Sequence, residues 1–190
     1  NARLVDQAYR EGRTVLECGP RILTIESTSI CNLRCVMCPH AIDAVQRPKH
    51  MPTGVIDKLS HVLAVASEAQ LHGIGEPLSS PAFWSALASP AIQPDCNLNI
   101  NTNLTLLNDR KLALLLDVKA QLKINVSVDA ATERTYARIR GAELGEVVDN
   151  VRKLVAARGD RRRTIASARS GMSSARSRSE GTRISITFRR

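Results

Sequence analysis

Aromatic residues are scarce in this chain of 190 residues, which has one tryptophan, two tyrosines and two phenylalanines. Proteins that bind single-stranded nucleic acid usually stack bases on aromatic side chains, so a surface of that kind is not expected. The sequence also has no run of 18 or more apolar residues and no recognisable secretory signal. We therefore expect a cytoplasmic protein with no membrane partner, and we do not expect nucleic acid as a partner.

Cysteine is limited to five residues, an odd number that argues against a disulfide framework. Three of them form one short segment, Cys31, Cys35 and Cys38, with the spacing C-x3-C-x2-C. A 4Fe–4S cluster is normally held by four thiolates. Three thiolates on one loop would leave one iron open to another ligand.

Two other metal sites agree with the residue types alone. Cys31, Cys35 and Cys38 could hold a structural zinc together with His40, because zinc accepts sulfur and nitrogen ligands in a tetrahedral arrangement. Alternatively, one of the two remaining cysteines could complete an ordinary four-thiolate cluster. The spacing favours the open cluster, and both alternatives stay open at this point.

The cysteine segment resembles the cluster-binding loop of the radical S-adenosylmethionine (SAM) enzymes. The resemblance implies two cofactors, a 4Fe–4S cluster on Cys31, Cys35 and Cys38 and SAM on the open iron through its amino and carboxylate groups. It further implies that an electron from the cluster cleaves the sulfur–C5′ bond of SAM and yields a 5′-deoxyadenosyl radical. Met37 stands where relatives often place an apolar residue beside the adenine.

A second segment, Gly73-Ile74-Gly75-Glu76-Pro77, resembles the Gly-Gly-Glu-Pro motif of the same family. The resemblance implies that Gly73, Gly75 and Glu76 receive the amino group of SAM. Ile74 stands where the first glycine of the motif usually is. On its own, this segment would be interpreted as an ordinary turn.

A third segment, Thr102-Asn103-Leu104, resembles the Thr-Asn-Gly sequence that often closes the third strand of the family. Leucine replaces the glycine. The resemblance places Asn103 among the residues that bind the cofactor.

The fourth segment, Ser127-Val128-Asp129, resembles a Ser-x-Asp strand end that is followed in relatives by an Arg-Gly pair, in this chain Arg140 and Gly141. The resemblance implies that Ser127 meets the ribose or carboxylate of SAM, that Asp129 belongs to the same site, and that Arg140 pairs with the carboxylate. Without the resemblance, Ser127 and Asp129 would be interpreted as caps of a helix near Thr132 and Arg140 as a solvated cation.

Strand-like and helix-like segments alternate four times between residues 22 and 157, which predicts βα units and a parallel sheet. We therefore expect an α/β fold, a partial (βα) barrel with parallel strands that is incomplete at its C-terminus, preceded by a lead-in segment over residues 1–21. Apolar spacing predicts one helix over Val55 to Ala66, and Asn108 is predicted to cap a helix over Leu112 to Leu116. In such folds the chemistry gathers at the carboxyl ends of the strands, where all four segments lie.

The composition changes at Ala157. Up to that residue there are 17 basic and 16 acidic residues, whereas residues 158–190 have ten arginines and only Asp160 and Glu180. This tail is rich in arginine and serine, and we expect it to be disordered or the product of truncation or a shifted reading frame after about residue 157. A basic nucleic-acid-binding arm is the third interpretation. Only Thr182 to Phe188 alternates as a strand does.

The sequence thus predicts the core domain of a radical SAM enzyme, and the group that carries cysteine-rich C-terminal extensions is one candidate subfamily. Its expected partners are a substrate of unknown identity, either a peptide or protein or a small molecule, and an electron donor such as a flavodoxin or ferredoxin. The alternative functions are a non-catalytic iron–sulfur or zinc protein and an inactive fragment with a nucleic-acid-binding tail.

Overall fold

A computed structural model describes residues 1–157, 165–166 and 183–188 of the chain. Its α-helices are α1 (Ala2–Arg10), α2 (Gly54–Lys58), α3 (Ser60–Leu63), α4 (Pro81–Leu87), α5 (Asp109–Asp117), α6 (Glu133–Arg140) and α7 (Leu144–Ala157). Short 3₁₀ turns cover Pro39–Ile42 and Pro77–Ser79. No helix in this part of the chain is long and apolar enough to cross a membrane.

Four parallel strands form most of one open sheet. They are β1 (Ile22–Thr24), β2 (Glu68–Gln70), β3 (Asn97–Thr102) and β4 (Gln121–Ser127), and they lie side by side in chain order. Two further strands, β5 (Ile165–Ala166) and β6 (Arg183–Phe188), extend the sheet to six in the order β1-β2-β3-β4-β6-β5. The predicted α/β fold with parallel strands is confirmed.

The sixth strand departs from the parallel pattern, because β6 pairs with β4 in the antiparallel direction. It also pairs antiparallel with β5, so β5 and β6 form a two-stranded unit at the edge of the sheet. The alternating segment near the end of the chain therefore forms a strand, β6. The rest of the tail, including most of Arg161 to Gly181, lies outside the described residues, so the expectation that it is disordered or artefactual stays a prediction.

Alternation along the central strands separates two faces of the sheet. Leu98 and Ile100 of β3 and Ile124 and Val126 of β4 are buried and belong to the main hydrophobic core. Residues between them, such as Asn99, face the other side and are only half-buried. Period-two alternation places apolar side chains on one face, where helices can cover them. The core therefore lies between one face of the sheet and the helices.

The helices that cover this face contribute large buried side chains. Phe83 of α4, Leu115 of α5, Tyr136 of α6 and Leu154 of α7 all belong to the same core. The caps are local: the side chain of Asn108 accepts from the N–H of Lys111, as predicted. This packing fixes where each strand ends, and the carboxyl ends of β1 to β4 meet at one edge of the sheet.

Candidate functional site

The three clustered cysteines lie on the loop that follows β1, at this edge of the sheet. Together they line a cavity of about 550 Å³. Cys35 is buried, whereas Cys31 and Cys38 are partly exposed, and none of the three is in a disulfide. Three free thiols therefore face one open cavity.

Every site residue predicted from the sequence lines this cavity. They are Cys31, Cys35, Met37, Cys38, Gly73, Gly75, Glu76, Asn103, Ser127, Asp129 and Arg140. Asn101 and Thr102, from the end of β3, also line it and were not predicted. Asn101 is half-buried and Thr102 is buried in this alternating strand. Alternation predicts the face of the sheet on which a side chain lies, but not whether that side chain lines a cavity.

The cysteine loop is docked on the C-terminal end of α6. The N–H of Val36 donates to the carbonyl of Ile139 at 2.9 Å, and Cys35 Sγ lies 3.8 Å from the carbonyl oxygen of Arg140. Gly141 ends this helix in the left-handed conformation, at φ +68°. The loop that carries the thiols and the end of α6 therefore form one contact region.

The guanidinium of Arg140 bridges Cys35 and Asp129. Its Nη1 donates to Cys35 Sγ at 3.4 Å, and its Nη2 pairs with Asp129 Oδ2. The side chains of Arg140 and Asp129 are only 14% and 9% exposed. Burial lowers the pKa of Arg140, but the charges of Cys35 and Asp129 and the hydrogen bonds to both of them together raise this pKa by more, so the guanidinium stays charged. Arg140 is thus not a solvated helix-end cation.

Asp129 and Ser127 do not cap α6 either. The cap is Thr132, whose hydroxyl accepts from the N–H of Thr135 at 3.4 Å. Ser127 is the last residue of β4, and Asp129 follows it by two positions, so both are held at the sheet edge where the cavity opens.

The thiol of Cys31 is contacted by neutral donors. The N–H of Leu33 lies 3.5 Å from Cys31 Sγ, and Asn103 Nδ2 lies 3.9 Å from it. Burial raises the pKa of Cys31, the Leu33 bond opposes this, and the charges of Glu76 and the other two cysteines raise it further. A cationic ligand such as iron would offset that repulsion, because metal ligation deprotonates thiols.

Glu76 is almost completely buried, at 2% exposure, and its carboxylate is already hydrogen-bonded within the protein. Oε1 accepts from the N–H of Leu78 at 3.0 Å and from the hydroxyl of Thr102 at 2.6 Å, and Oε2 accepts from the N–H of Asn103 at 2.8 Å. Burial raises the pKa of this carboxyl, and the three hydrogen bonds oppose the shift. A carboxylate has about four acceptor positions, so about one remains for a ligand.

Gly75 lies where the backbones of two loops come together. A Cβ on Gly75 would be 2.3 Å from the carbonyl oxygen of Thr28 and 2.6 Å from that of Ile30. Only glycine allows this approach. A Cβ on Gly73 would instead meet the side chain of Glu26, which accepts from the N–H of Ile74 at 2.6 Å.

The departures from the family's motifs are accommodated in two different ways. The residue at the first-glycine position, Ile74, is 45% exposed, so a side chain there is tolerated. Leu104, at the glycine position of Thr-Asn-Gly, has φ +61° and is fully buried. The backbone therefore keeps a left-handed conformation that favours glycine, although the residue is leucine.

The two remaining cysteines do not line the cavity. Cys96 is buried just before β3, and burial raises the pKa of its thiol to about 11, with smaller contributions from Asp95 and Glu68. Within the described residues, no three His, Cys, Asp or Glu side chains converge to hold a metal ion. A tetrahedral zinc site would need a fourth ligand beside the three thiols, and His40, the candidate from the sequence, does not line the cavity. Three free thiols on one loop therefore fit an open cluster better than zinc.

Comparison with known proteins gives one family. The model of the Radical SAM superfamily matches residues 25–167, more than half of the chain. No curated protein matches significantly.

Solved structures of the protein SuiB share the fold. SuiB of Streptococcus suis bound to the precursor peptide SuiA is 16% identical, with a TM-score of 0.58 over 80% of this chain and 34% of SuiB. SuiB bound to S-adenosylmethionine gives 16% identity and a TM-score of 0.57 over 80% of this chain and 35% of that one. BtrN in complex with AdoMet and 2-DOIA is 23% identical over 53% of this chain and 42% of BtrN, with a TM-score of 0.44. The chain thus spans about a third of the length of SuiB.

Proposed function

The chain belongs to the radical SAM superfamily, and from this premise we propose that its cavity binds a 4Fe–4S cluster and S-adenosylmethionine. The observation that supports this most is that all four predicted motifs, including the loop with the three thiols, line a single cavity. When bound, the cluster and SAM supply one-electron cleavage of the sulfur–C5′ bond, which gives methionine and a 5′-deoxyadenosyl radical that abstracts hydrogen from a substrate.

In this proposal Cys31, Cys35 and Cys38 hold three irons and leave the fourth iron to SAM. Two observations fit such a group. The thiols are free and line the cavity, and Gly75, which also lines it, lies so close to the loop after β1 that a Cβ there would collide with the backbone. The role of this chain is to separate the three thiolates over one cluster and to keep one side open.

The residues proposed to bind SAM divide between backbone and side chains. The backbone at Gly73 and Gly75 offers carbonyl groups to the amino group, and Glu76 has about one acceptor position left for it. Ser127, which lines the cavity, is proposed to meet the ribose or carboxylate. Met37, which is 54% exposed and lines the cavity, offers an apolar surface to the adenine.

Asn103 is proposed to orient the site from the end of β3. Its Nδ2 contacts Asn32 Oδ1 at 3.0 Å as well as Cys31 Sγ at 3.9 Å, and its Oδ1 accepts from the hydroxyl of Thr105 at 2.7 Å. A side chain held on both sides can fix the position of the first cysteine. Asp129 acts through Arg140, which it pairs with.

The family implies a substrate and a reductant. We propose a low-potential one-electron donor such as a flavodoxin or ferredoxin, since cleavage of SAM consumes one electron that the chain must receive from outside. The substrate class is a peptide or protein or a small molecule. We further propose a cytoplasmic location, because cluster thiolates persist in a reducing compartment.

The test is anaerobic reconstitution of the full chain with iron and sulfide. We expect about four irons and four sulfides per chain and an EPR signal that changes when SAM is added. With dithionite and SAM, the protein should release 5′-deoxyadenosine and methionine. Cys31→Ala, Cys35→Ala and Cys38→Ala should each abolish the cluster.

Cys18→Ala and Cys96→Ala are the matched controls and should leave the cluster intact. Loss of the cluster in Cys96→Ala would indicate a four-thiolate site, and thus electron transfer in place of SAM cleavage. One zinc per chain with no acid-labile sulfide would indicate the structural zinc site.

A further inference from the structure

Arg140 makes two contacts that do not depend on SAM. Its Nη1 donates to Cys35 Sγ at 3.4 Å, and its Nη2 pairs with Asp129. The side chains of both charged residues are largely buried. The resemblance to the family implies a different partner for this arginine, the carboxylate of SAM. In the structure, two of its three nitrogens already have protein partners.

The position of Arg140 is fixed by the backbone as well as by its side chain. The adjacent residue, Ile139, accepts from the N–H of Val36 on the cysteine loop at 2.9 Å. Gly141 follows and closes the helix with its N–H on the carbonyl of Ala137 at 2.9 Å. The guanidinium therefore lies beside Cys35 because the end of α6 and the cysteine loop are docked together. The contact is not a chance rotamer of an exposed side chain, since the side chain of Arg140 is only 14% exposed.

A donor on a ligating sulfur changes the electronic properties of an iron–sulfur cluster. Hydrogen bonds to the sulfurs and nearby charge are among the factors that set the reduction potential. A buried cation beside Cys35 stabilises the more negative, reduced form and so raises the potential. The planar fork of arginine serves two acceptors at once, which the ammonium of lysine does less well.

We infer that Arg140 is a positioning residue that acts through the sulfur of Cys35, holding that ligand and raising the reduction potential of the cluster, with Asp129 aligning the guanidinium. This inference rests on the proposed function, because it requires a cluster on Cys35. It goes beyond that function in assigning Arg140 to the cluster before SAM is present. Nε of Arg140 has no hydrogen-bond partner within the described residues, so a later contact with SAM is compatible with the assignment.

The experiment is a potentiometric titration of the reconstituted full chain without SAM, followed by EPR, together with iron and sulfide analysis. Arg140→Gln should retain the cluster and shift its potential to more negative values. Arg140→Lys, which keeps the charge but loses the fork, should shift it in the same direction by less. Arg138→Gln removes an exposed arginine two residues earlier on α6 and should leave the potential unchanged.

Two outcomes overturn the inference. The first is an unchanged potential and EPR spectrum in Arg140→Gln at full iron content, even if SAM binds more weakly, because Arg140 would then serve SAM alone. The second applies if Arg140→Gln loses the cluster: an unchanged potential and EPR spectrum in Arg140→Lys then refute the assignment that the guanidinium acts through its hydrogen bond to Cys35. A wild-type chain that forms no cluster would instead refute the proposed function, and that failure is distinguishable because no potential can be measured.

Discussion

The buried carboxylate of Glu76 gives the sharpest test of how the site is held together. Glu76→Ala removes the acceptor of two backbone N–H groups, those of Leu78 and Asn103, and of the Thr102 hydroxyl. Each buried donor left without a partner costs about 1–3 kcal/mol. Removing a carboxylate that is disfavoured by burial returns part of this. We expect Glu76→Ala to lower the free energy of unfolding by about 2–4 kcal/mol.

Glu76→Gln should cost less, about 1–3 kcal/mol, because it keeps the shape and one acceptor oxygen but turns an amide NH₂ toward one of the donors. The assay is urea unfolding followed by circular dichroism, with the free energy taken from linear extrapolation. Glu143→Ala is the control: it removes an exposed carboxylate and should change the stability by no more than about 0.5 kcal/mol.

The competing expectation is that Glu76 serves mainly the amino group of SAM. In that case the free energy of unfolding of Glu76→Ala would lie within about 0.5 kcal/mol of the wild-type value, while SAM binding would weaken strongly. That result would refute a structural role for the Glu76 carboxylate. Loss of both stability and cluster retention would agree with a carboxylate that holds the loop after β2 against the end of β3.

Three further predictions concern single positions. Gly75→Ala should prevent cluster reconstitution and lower the free energy of unfolding by about 1–3 kcal/mol, because the new Cβ would meet the Thr28 carbonyl. Gly54→Ala is the control and should not affect the cluster, because a Cβ there has nothing within 4 Å. Normal reconstitution in Gly75→Ala would contradict this prediction. Leu104→Ala should lower the free energy of unfolding by about 3 kcal/mol, and Leu104→Gly by about 1 kcal/mol less, because glycine adopts the left-handed conformation without strain. A larger loss of stability for Leu104→Gly than for Leu104→Ala in paired urea titrations would refute this prediction. The thiol of Cys96 has a pKa raised from 9.0 to about 11, so folding favours its protonated form; stability should fall as the pH rises from 9.0 to about 11, and Cys96→Ala should remove that part of the decline, which unfolding titrations at several pH values will measure.

Much of the fold follows from local patterns. The alternation in β3 and β4 predicts strands with one apolar face, and Asn108 predicts the start of α5. The predicted helix over Val55 to Ala66 is instead two short helices, α2 and α3, with Leu59 between them. Apolar periodicity continues across a break of one residue, so it predicts the buried face without the interruption.

The direction of β6 could not be predicted in the same way. Alternation indicates a strand but carries no information on the neighbour with which it pairs or on its direction. Because β4 is the last of the consecutive parallel strands, its free edge accepts a strand of either direction. The structure places β6 there in the antiparallel direction, with Ile186 opposite Ile124.

The composition of the cavity was predictable, whereas the contacts within it were not. Motifs name the residues at strand ends, and parallel strands bring their ends together. The hydrogen bond from Arg140 to Cys35 joins positions separated by 105 residues, and the hydrogen bond from the Thr102 hydroxyl to Glu76 joins positions separated by 26. A single sequence contains no signal for such pairs, so the internal use of these charges became visible only in the structure.

Three hydrogen bonds at the cavity form a closed ring that joins the ends of β1, β2 and β3 and does not depend on a cofactor. The loop after β1 accepts the N–H of Glu76 at the carbonyl of Ile30, at 2.9 Å. Glu76 in turn accepts from the N–H of Asn103, and Asn103 returns to the loop after β1 through Asn32. Each link joins a different strand end, and all are hydrogen bonds of 2.8–3.0 Å. A site whose supporting groups are already paired loses little conformational freedom when a cluster binds, so the circuit favours a cavity whose geometry is largely set before iron enters.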